Sequence, residues 1–305
     1  MPEGHTLHRL ARDLGVAFAG RRVRVSSPQG RFAASAALLD GRVLVGAEAW
    51  GKQLFVELEG DPPGELDGER FVHVHLGLIG TFDVHTAPAG AVVPDPVGQV
   101  RLRLVADDAD ADGTDDDAAT TAGPTAWADL RGAIVCDLVT AAQRDAVVAR
   151  MGPDPLRPDA DPDRAFEAIR RSRKPIGALL MDQSVLAGVG NVYRAEVLFR
   201  DRLHPLRPGN TLQRSRWQAL WDDLVALMPQ GVATGRIDTV RPEHSPVATG
   251  RAPRRDDHGG EVYVYRRTGQ PCLVCGRRVA TAVLEGRNLF WCSRCQPVFR
   301  SRAVG

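Results

Sequence analysis

Four cysteines near the C-terminus constrain this chain more than any other feature. Cys272, Cys275, Cys292 and Cys295 read C-x2-C-x16-C-x2-C, a spacing in which two knuckles of paired thiolates close a tetrahedron around zinc. The alternative, two redox-active or disulfide-bonded pairs, suits an oxidising compartment. No basic-then-apolar signal opens the chain, and no apolar run nears the roughly 18 residues of a membrane span. A soluble, cytoplasmic protein with one structural Zn2+ is therefore expected, because four thiolates leave no open coordination position. The fifth cysteine, Cys136, lies in an apolar strand pattern and is expected in the core.

Charge is distributed unevenly. The 305 residues net only +1, but the stretch 106–126 holds seven Asp and no Lys or Arg, so the remainder nets +8. From Arg251 to Gly305, eleven Arg face Asp256, Asp257, Glu261 and Glu285, a net of +7. A basic C-terminal segment is an electrostatic footprint for nucleic acid, although a solubilising surface has the same composition. The cations are lopsided by type as well, with 37 Arg and two Lys, Lys52 and Lys174. A compact ammonium kept in an arginine-rich chain hints at a task that a guanidinium cannot perform.

Hydrophobic periodicity orders the rest. Leu7, Leu10, Ala11, Leu14 and Phe18 recur at helical spacing, so residues 3–18 read as an amphipathic helix. RVRV at 22–25, QLFVELE at 53–59, FVHVHL at 71–76, QVRLRLV at 99–105 and AIVCDLV at 133–139 read as strands of an antiparallel sandwich. The acidic stretch at 106–126 is too polar to pack and reads as a flexible insertion. A proline-rich connector at 151–163 marks a boundary, after which helices are expected from about 161 to 173, 175 to 183, 191 to 202 and 211 to 228. EVYVYRR at 261–267 alternates like a strand. The division expected is 1–140 for the β domain, 141–160 for a linker, 161–236 for a helical domain, 237–260 for a loop and 261–305 for the zinc finger.

Two further motifs bear on chemistry. LAGVGNVYRAE at 186–196 puts two glycines ahead of a helix beginning near Asn191, where exposed N–H groups form an anion site suited to phosphate, or simply a helical corner. EGRNLFW at 285–291 sets Arg287 beside aromatics between the two cysteine knuckles. His73 and His75 share a strand face, but no third ligand stands at helpful spacing, and packed or hydrogen-bonded histidines are expected there.

Together MPEG at 1–4, GKQL at 51–54, HLGLIG at 75–80, DLRG at 129–132, MDQSVLAGVGNVYRAEVLF at 181–199 and GRNLFWCSRCQ at 286–296 resemble the formamidopyrimidine-DNA glycosylase and endonuclease VIII family, closer to its endonuclease VIII branch. The resemblance spans the whole chain in order. It implies an α+β multidomain fold: an N-terminal antiparallel β-sandwich with a catalytic helix, a helix-two-turn-helix domain, and a C-terminal β-hairpin zinc finger. It also implies a bifunctional glycosylase and abasic-site lyase acting as a monomer on damaged or abasic double-stranded DNA held between the domains.

The resemblance assigns roles residue by residue. Pro2, exposed by removal of Met1, is the amine nucleophile; Glu3 is the proton shuttle; Lys52 contacts the damaged site and a neighbouring phosphate. Lys174, Asn191 and Arg287 meet the DNA backbone, Leu78 fills the space of the flipped base, and Arg131 pairs with the orphaned base. An α-amino group titrates near pH 8 and a lysine above 10, which favours Pro2 over Lys as nucleophile at neutral pH. The chain departs from the pattern at Thr6, where many relatives carry a second Glu, and at Ala133, where many carry an aromatic. Oxidised pyrimidines are the expected substrates, with oxidised purines, or damaged-DNA binding without catalysis, as the alternatives.

Overall fold

The computed structural model describes residues 2–59, 68–107, 123–255 and 260–300. The chain divides into two compact units, Met1–Pro2 with Leu7–Ala149, and Glu3–Thr6 with Arg150–Gly305. Helix α1 (Gly4–Phe18) thus has its first residues in the second unit and its body in the first.

In the first unit, α1 buries Leu7, Ala11, Leu14 and Phe18. It is followed by β1 (Arg22–Ser26), α2 (Ala33–Leu39), β2 (Arg42–Trp50), β3 (Gln53–Leu58), β4 (Glu69–His75), β5 (Thr81–Ala87), β6 (Val100–Ala106), β7 (Thr125–Arg131), β8 (Val135–Thr140) and α3 (Ala141–Val148). The strands pair antiparallel in the order β5-β7-β6-β1-β2-β3-β4-β8. Only Arg22↔Val43 and Val23↔Arg42 join β1 to β2, so the order splits into two four-stranded halves. Val23, Leu102, Leu104 and Leu130 from one half share a core with Leu44, Leu54, Val56 and Val74 from the other. That shared core gives the sandwich arrangement anticipated from the alternation. Cys136 is buried in it. Most of the acidic stretch, 108–122, lies outside the described residues; its two ends are β6 and the start of β7. Within the expected linker, Ala141–Val148 is helical instead, because Thr140 and Gln143 close a capping box at its start.

The second unit is helical until its last part. It holds α4 (Pro162–Arg170), α5 (Ile176–Leu179), α6 (Asn191–Arg200), α7 (Arg214–Thr234), α8 (Pro246–Thr249) and the hairpin β9 (Ala280–Leu284) and β10 (Arg287–Trp291). Asp161 caps α4 by accepting from Asp163 N–H. Helix α5 is shorter than its apolar pattern suggested, and α7 runs on through Pro229 to Gly235, whose positive φ of 72° terminates it. Glu285 and Gly286 both have positive φ, the two-residue turn that starts β10 at Arg287.

Residues 261–267 form no strand, contrary to their alternation. The N–H groups of Tyr263, Val264 and Tyr265 donate not to another strand but to the buried carboxylate of Glu196, at 2.6, 2.9 and 2.9 Å. Thr239 Oγ1 donates to the same carboxylate at 2.6 Å. One side chain of α6 therefore satisfies three backbone donors that a sheet would otherwise have taken, and all four residues from Val262 to Tyr265 are buried.

Candidate active site

The start of α6 is an anion site, and the anion it holds is part of the chain. Gly190 N–H donates to Glu3 Oε2 at 3.0 Å, Val192 N–H to Oε1 at 2.7 Å and Tyr193 N–H to Oε2 at 3.3 Å. The N–H groups that the LAGVGN motif offered to a DNA phosphate are thus occupied by Glu3, which is fully buried. The glycines are needed for the approach. A Cβ on Gly190 would lie 2.4 Å from Glu3 Cδ, and one on Gly4 would lie 2.7 Å from Gly188 Cα.

The next turn of α6 contributes a residue that the sequence reading missed. Arg194 is buried, and its Nη2 donates to Asn191 Oδ1 and, at 2.9 Å, to Asn288 O, next to Arg287; its Nη1 donates to Gly177 O at 3.2 Å. Burial pulls the Arg194 guanidinium down to about 10, Glu3 raises it and Arg287 lowers it. It remains a cation at neutral pH. Glu3, Asn191, Arg194 and Arg287 therefore form one electrostatic neighbourhood in the second unit. The signal for Arg194 was its position three residues after Asn191, one helical turn on.

Around Glu3, His5 and Thr6 have structural roles. His5 is buried, with its ring edge-to-face against Tyr193 at 5.5 Å between centroids. Thr6 N–H donates to Glu3 O at 2.9 Å, so residue 6 serves the helix turn and brings no carboxylate. Pro2 is half-buried. Lys174 is exposed in the loop after α4.

In the first unit, Lys52 lies at the β2–β3 turn beside β4. Burial, and then the charge of Lys52, lower the pKa of His75, whose Nδ1 accepts from Gly77 N–H at 2.9 Å. His73 stacks on Phe55 with 4.7 Å between centroids, and its Nε2 is 2.8 Å from Gln53 Oε1. Both histidines thus have packing or hydrogen-bonding roles. Leu78 stands exposed on the turn after β4. Arg131 is bound to Asp83, Asp129 and Val97 O, at 3.1, 3.0 and 3.1 Å.

The four cysteines fit a metal. Their Sγ atoms all lie within 4.8 Å of one another, with Cys272–Cys295 at 3.9 Å and Cys275–Cys292 at 3.4 Å. A tetrahedron with bonds of about 2.3 Å has edges of about 3.8 Å. None of the five cysteines forms a disulfide, and the quartet is the one such cluster among the described residues. Gln296 braces it by accepting from Cys292 N–H and donating to Leu203 O, both at 2.9 Å.

The elements that carry the buried Glu3 carboxylate, the buried Arg194 and the cysteine quartet are matched by family comparisons along the chain. The formamidopyrimidine-DNA glycosylase N-terminal domain matches residues 1–117, the formamidopyrimidine-DNA glycosylase H2TH domain matches 151–242, and the zinc finger found in FPG and IleRS matches 269–298. The chain belongs to the formamidopyrimidine-DNA glycosylase and endonuclease VIII family of DNA glycosylases and abasic-site lyases of base excision repair. It is 51% identical to Endonuclease 8 1 of Mycobacterium tuberculosis over 296 residues, 97% of this chain and all of that protein. The formamidopyrimidine-DNA glycosylase of Roseiflexus sp. is 31% identical over 76% of each chain. The fold matches Lactococcus lactis Fpg solved with abasic-site DNA, at a TM-score of 0.69 and 22% identity over 97% of this chain and all of that one. Among the described residues no helix is long and apolar enough to cross a membrane.

Zinc is expected to organise β9–β10 and so fix Arg287. Structural zinc in small fingers contributes on the order of 10 kcal/mol. Stripping it with a chelator should weaken binding to an abasic duplex by about tenfold or more, measured by fluorescence anisotropy. Unaltered affinity would remove the finger from the binding surface.

Proposed function

We propose that this chain removes oxidised bases, preferentially pyrimidines, from double-stranded DNA and then cleaves the abasic site, with Pro2 as nucleophile and Glu3 as proton shuttle. The observation that carries the reading is the Glu3 carboxylate, seated on three N–H groups of α6 immediately after the residue whose amine would attack. Identity with Endonuclease 8 1 along the full chain supports the endonuclease VIII side.

The chemistry balances on the chain's own groups. After loss of Met1, the lone pair of the Pro2 amine forms a bond to C1′, and the glycosidic pair leaves with the base, which takes a proton. Glu3 donates the proton that O4′ gains as the sugar ring opens, and accepts a proton in the later transfers. The resulting iminium acidifies the C2′ proton; its removal expels the 3′ phosphate, leaving a strand break. Lys52 supplies a cation beside the reacting nucleotide, while Asn191 and Arg287 hold phosphates so that the damaged base can be rotated out of the stack. Zinc, held by the four cysteines, shapes the finger and takes no part in bond making.

Borohydride added to the mature protein and a duplex containing thymine glycol should give a covalent protein–DNA adduct. Faster trapping with 8-oxoguanine would assign the protein to oxidised purines. Tight binding with no adduct on either lesion, or on an abasic duplex, would make it a non-catalytic binder of damaged DNA.

A further inference from the structure

The cysteine finger has a second cationic end. From 262 to 300 the chain carries seven arginines and a single carboxylate, Glu285, which stands in the turn between β9 and β10 beside Arg287. Arg277 and Arg278 precede β9, at the end of the hairpin where Ala280 pairs with Trp291. Four steps of strand, at about 3.3 Å each, separate Ala280 from Leu284, the partner of Arg287.

At this far end lies a groove of about 560 Å3, lined in part by Thr268, Gly269, Arg277, Arg278, Thr281 and Ser293 and by no carboxylate. Backbone hydrogen bonds fix its floor. Gly269 N–H donates to Val279 O at 2.9 Å, Val279 N–H to Gln270 O at 3.0 Å and Cys272 N–H to Arg277 O at 2.8 Å. Each guanidinium is tethered at one nitrogen: Arg277 Nε donates to Ser293 Oγ at 2.9 Å, and Arg278 Nη1 to Gly269 O at 2.7 Å. Both side chains are exposed, and among the described residues neither meets a carboxylate. A guanidinium fork held in this way is pre-organised for an outside oxyanion.

The adjoining strand decides which kind of anion fits. Among the described residues β10 is the one strand partner of β9, so the opposite edge of β9 presents a row of unpaired N–H and C=O groups. Thr281, Ala282 and Val283 are exposed along it, Val283 by 72%. Such an edge is completed by an extended polypeptide. A nucleic acid has no peptide ladder to offer it.

We propose that the β9 edge and the Arg277–Arg278 groove form a docking site for an extended acidic peptide of another protein, which adds a strand to the hairpin and sets carboxylates on the two guanidiniums. Main-chain hydrogen bonds along β9 supply affinity, and the arginine pair selects acidic side chains. Because Arg287 lies at the other end of the hairpin, peptide and DNA occupy the finger together.

A fluorescein-labelled peptide of alternating Asp and Val, added to the zinc-loaded full chain, tests this by anisotropy. It should bind with micromolar affinity, and its counterpart with Asn in place of Asp should bind about tenfold more weakly or worse. Arg277→Gln/Arg278→Gln should cost the acidic peptide about tenfold or more in affinity, with an unchanged unfolding temperature confirming the fold. Its affinity for an abasic duplex should stay within about threefold at physiological ionic strength, where screening confines charge effects to about 8 Å. Bound peptide should slow amide exchange across 280–284, and a saturating abasic duplex should not displace it. Equal binding of the two peptides, undiminished binding in the double variant, or unchanged exchange in β9 would overturn the proposal. Displacement of the peptide by the duplex, with a tenfold or greater loss of DNA affinity in the double variant, would overturn it in favour of a DNA contact.

Discussion

A chain that keeps any residue ahead of Pro2 should lose covalent trapping on abasic DNA by on the order of 10³-fold or more, while still binding it. The reason is electronic. An upstream peptide bond turns the Pro2 nitrogen from an amine into a tertiary amide, whose lone pair is delocalised and cannot attack C1′. Lysine offers a poor substitute, since an ammonium that titrates above pH 10 is almost wholly protonated at neutrality. Pro2→Gly separates the ring from the amine: it keeps a terminal nitrogen and should retain part of the trapping that the extended chain loses. If the extended chain traps abasic DNA as fast as the mature one, another nitrogen is the nucleophile.

Glu3→Gln should lower base release by about 10²–10⁴-fold, the range for removing a positioned general acid or base. The substitution also damages the seat. Three N–H groups converge on the Glu3 oxygens; a glutamine amide presents one acceptor oxygen and turns two further donors towards the remaining N–H. Leaving buried donors unmatched costs about 1–3 kcal/mol each, so the variant should also unfold earlier in denaturant. Because Pro2 is untouched, trapping on preformed abasic DNA should fall less than base release. Base release within about threefold of the parent would remove Glu3 from the proton transfers.

What could be read in the sequence was what is local. The cysteine quartet announces itself because metal ligation needs two short knuckles, and α1 because its apolar positions repeat at the helical period. Strands β1, β3, β4, β6 and β8 were visible for the same reason. Glu196 defeated the reading of 261–267: alternation normally signals a ladder, but here the backbone donors go to a carboxylate 67–69 residues away. The LAGVGN turn was recognisable as an anion site, but its occupant, Glu3, lies 187 residues upstream of Gly190. Arg194 resembled any helical arginine until Asn191 and Asn288 were found on either side of it. Arg131 stood at the right place in its motif, and only the paired strands revealed that Asp83 and Asp129 occupy it.

Glu3 also sets a timetable. Its hydrogen-bond donors are synthesised some 187 residues after it. At a translation rate of about 5–20 residues per second, they emerge roughly 10–40 s later. For that interval the first residues have no seat, and an aminopeptidase can reach Met1 on a nascent chain that cannot yet bury Glu3. On the proposed mechanism, the order of synthesis lets Met1 be trimmed before the seat of Glu3 is built.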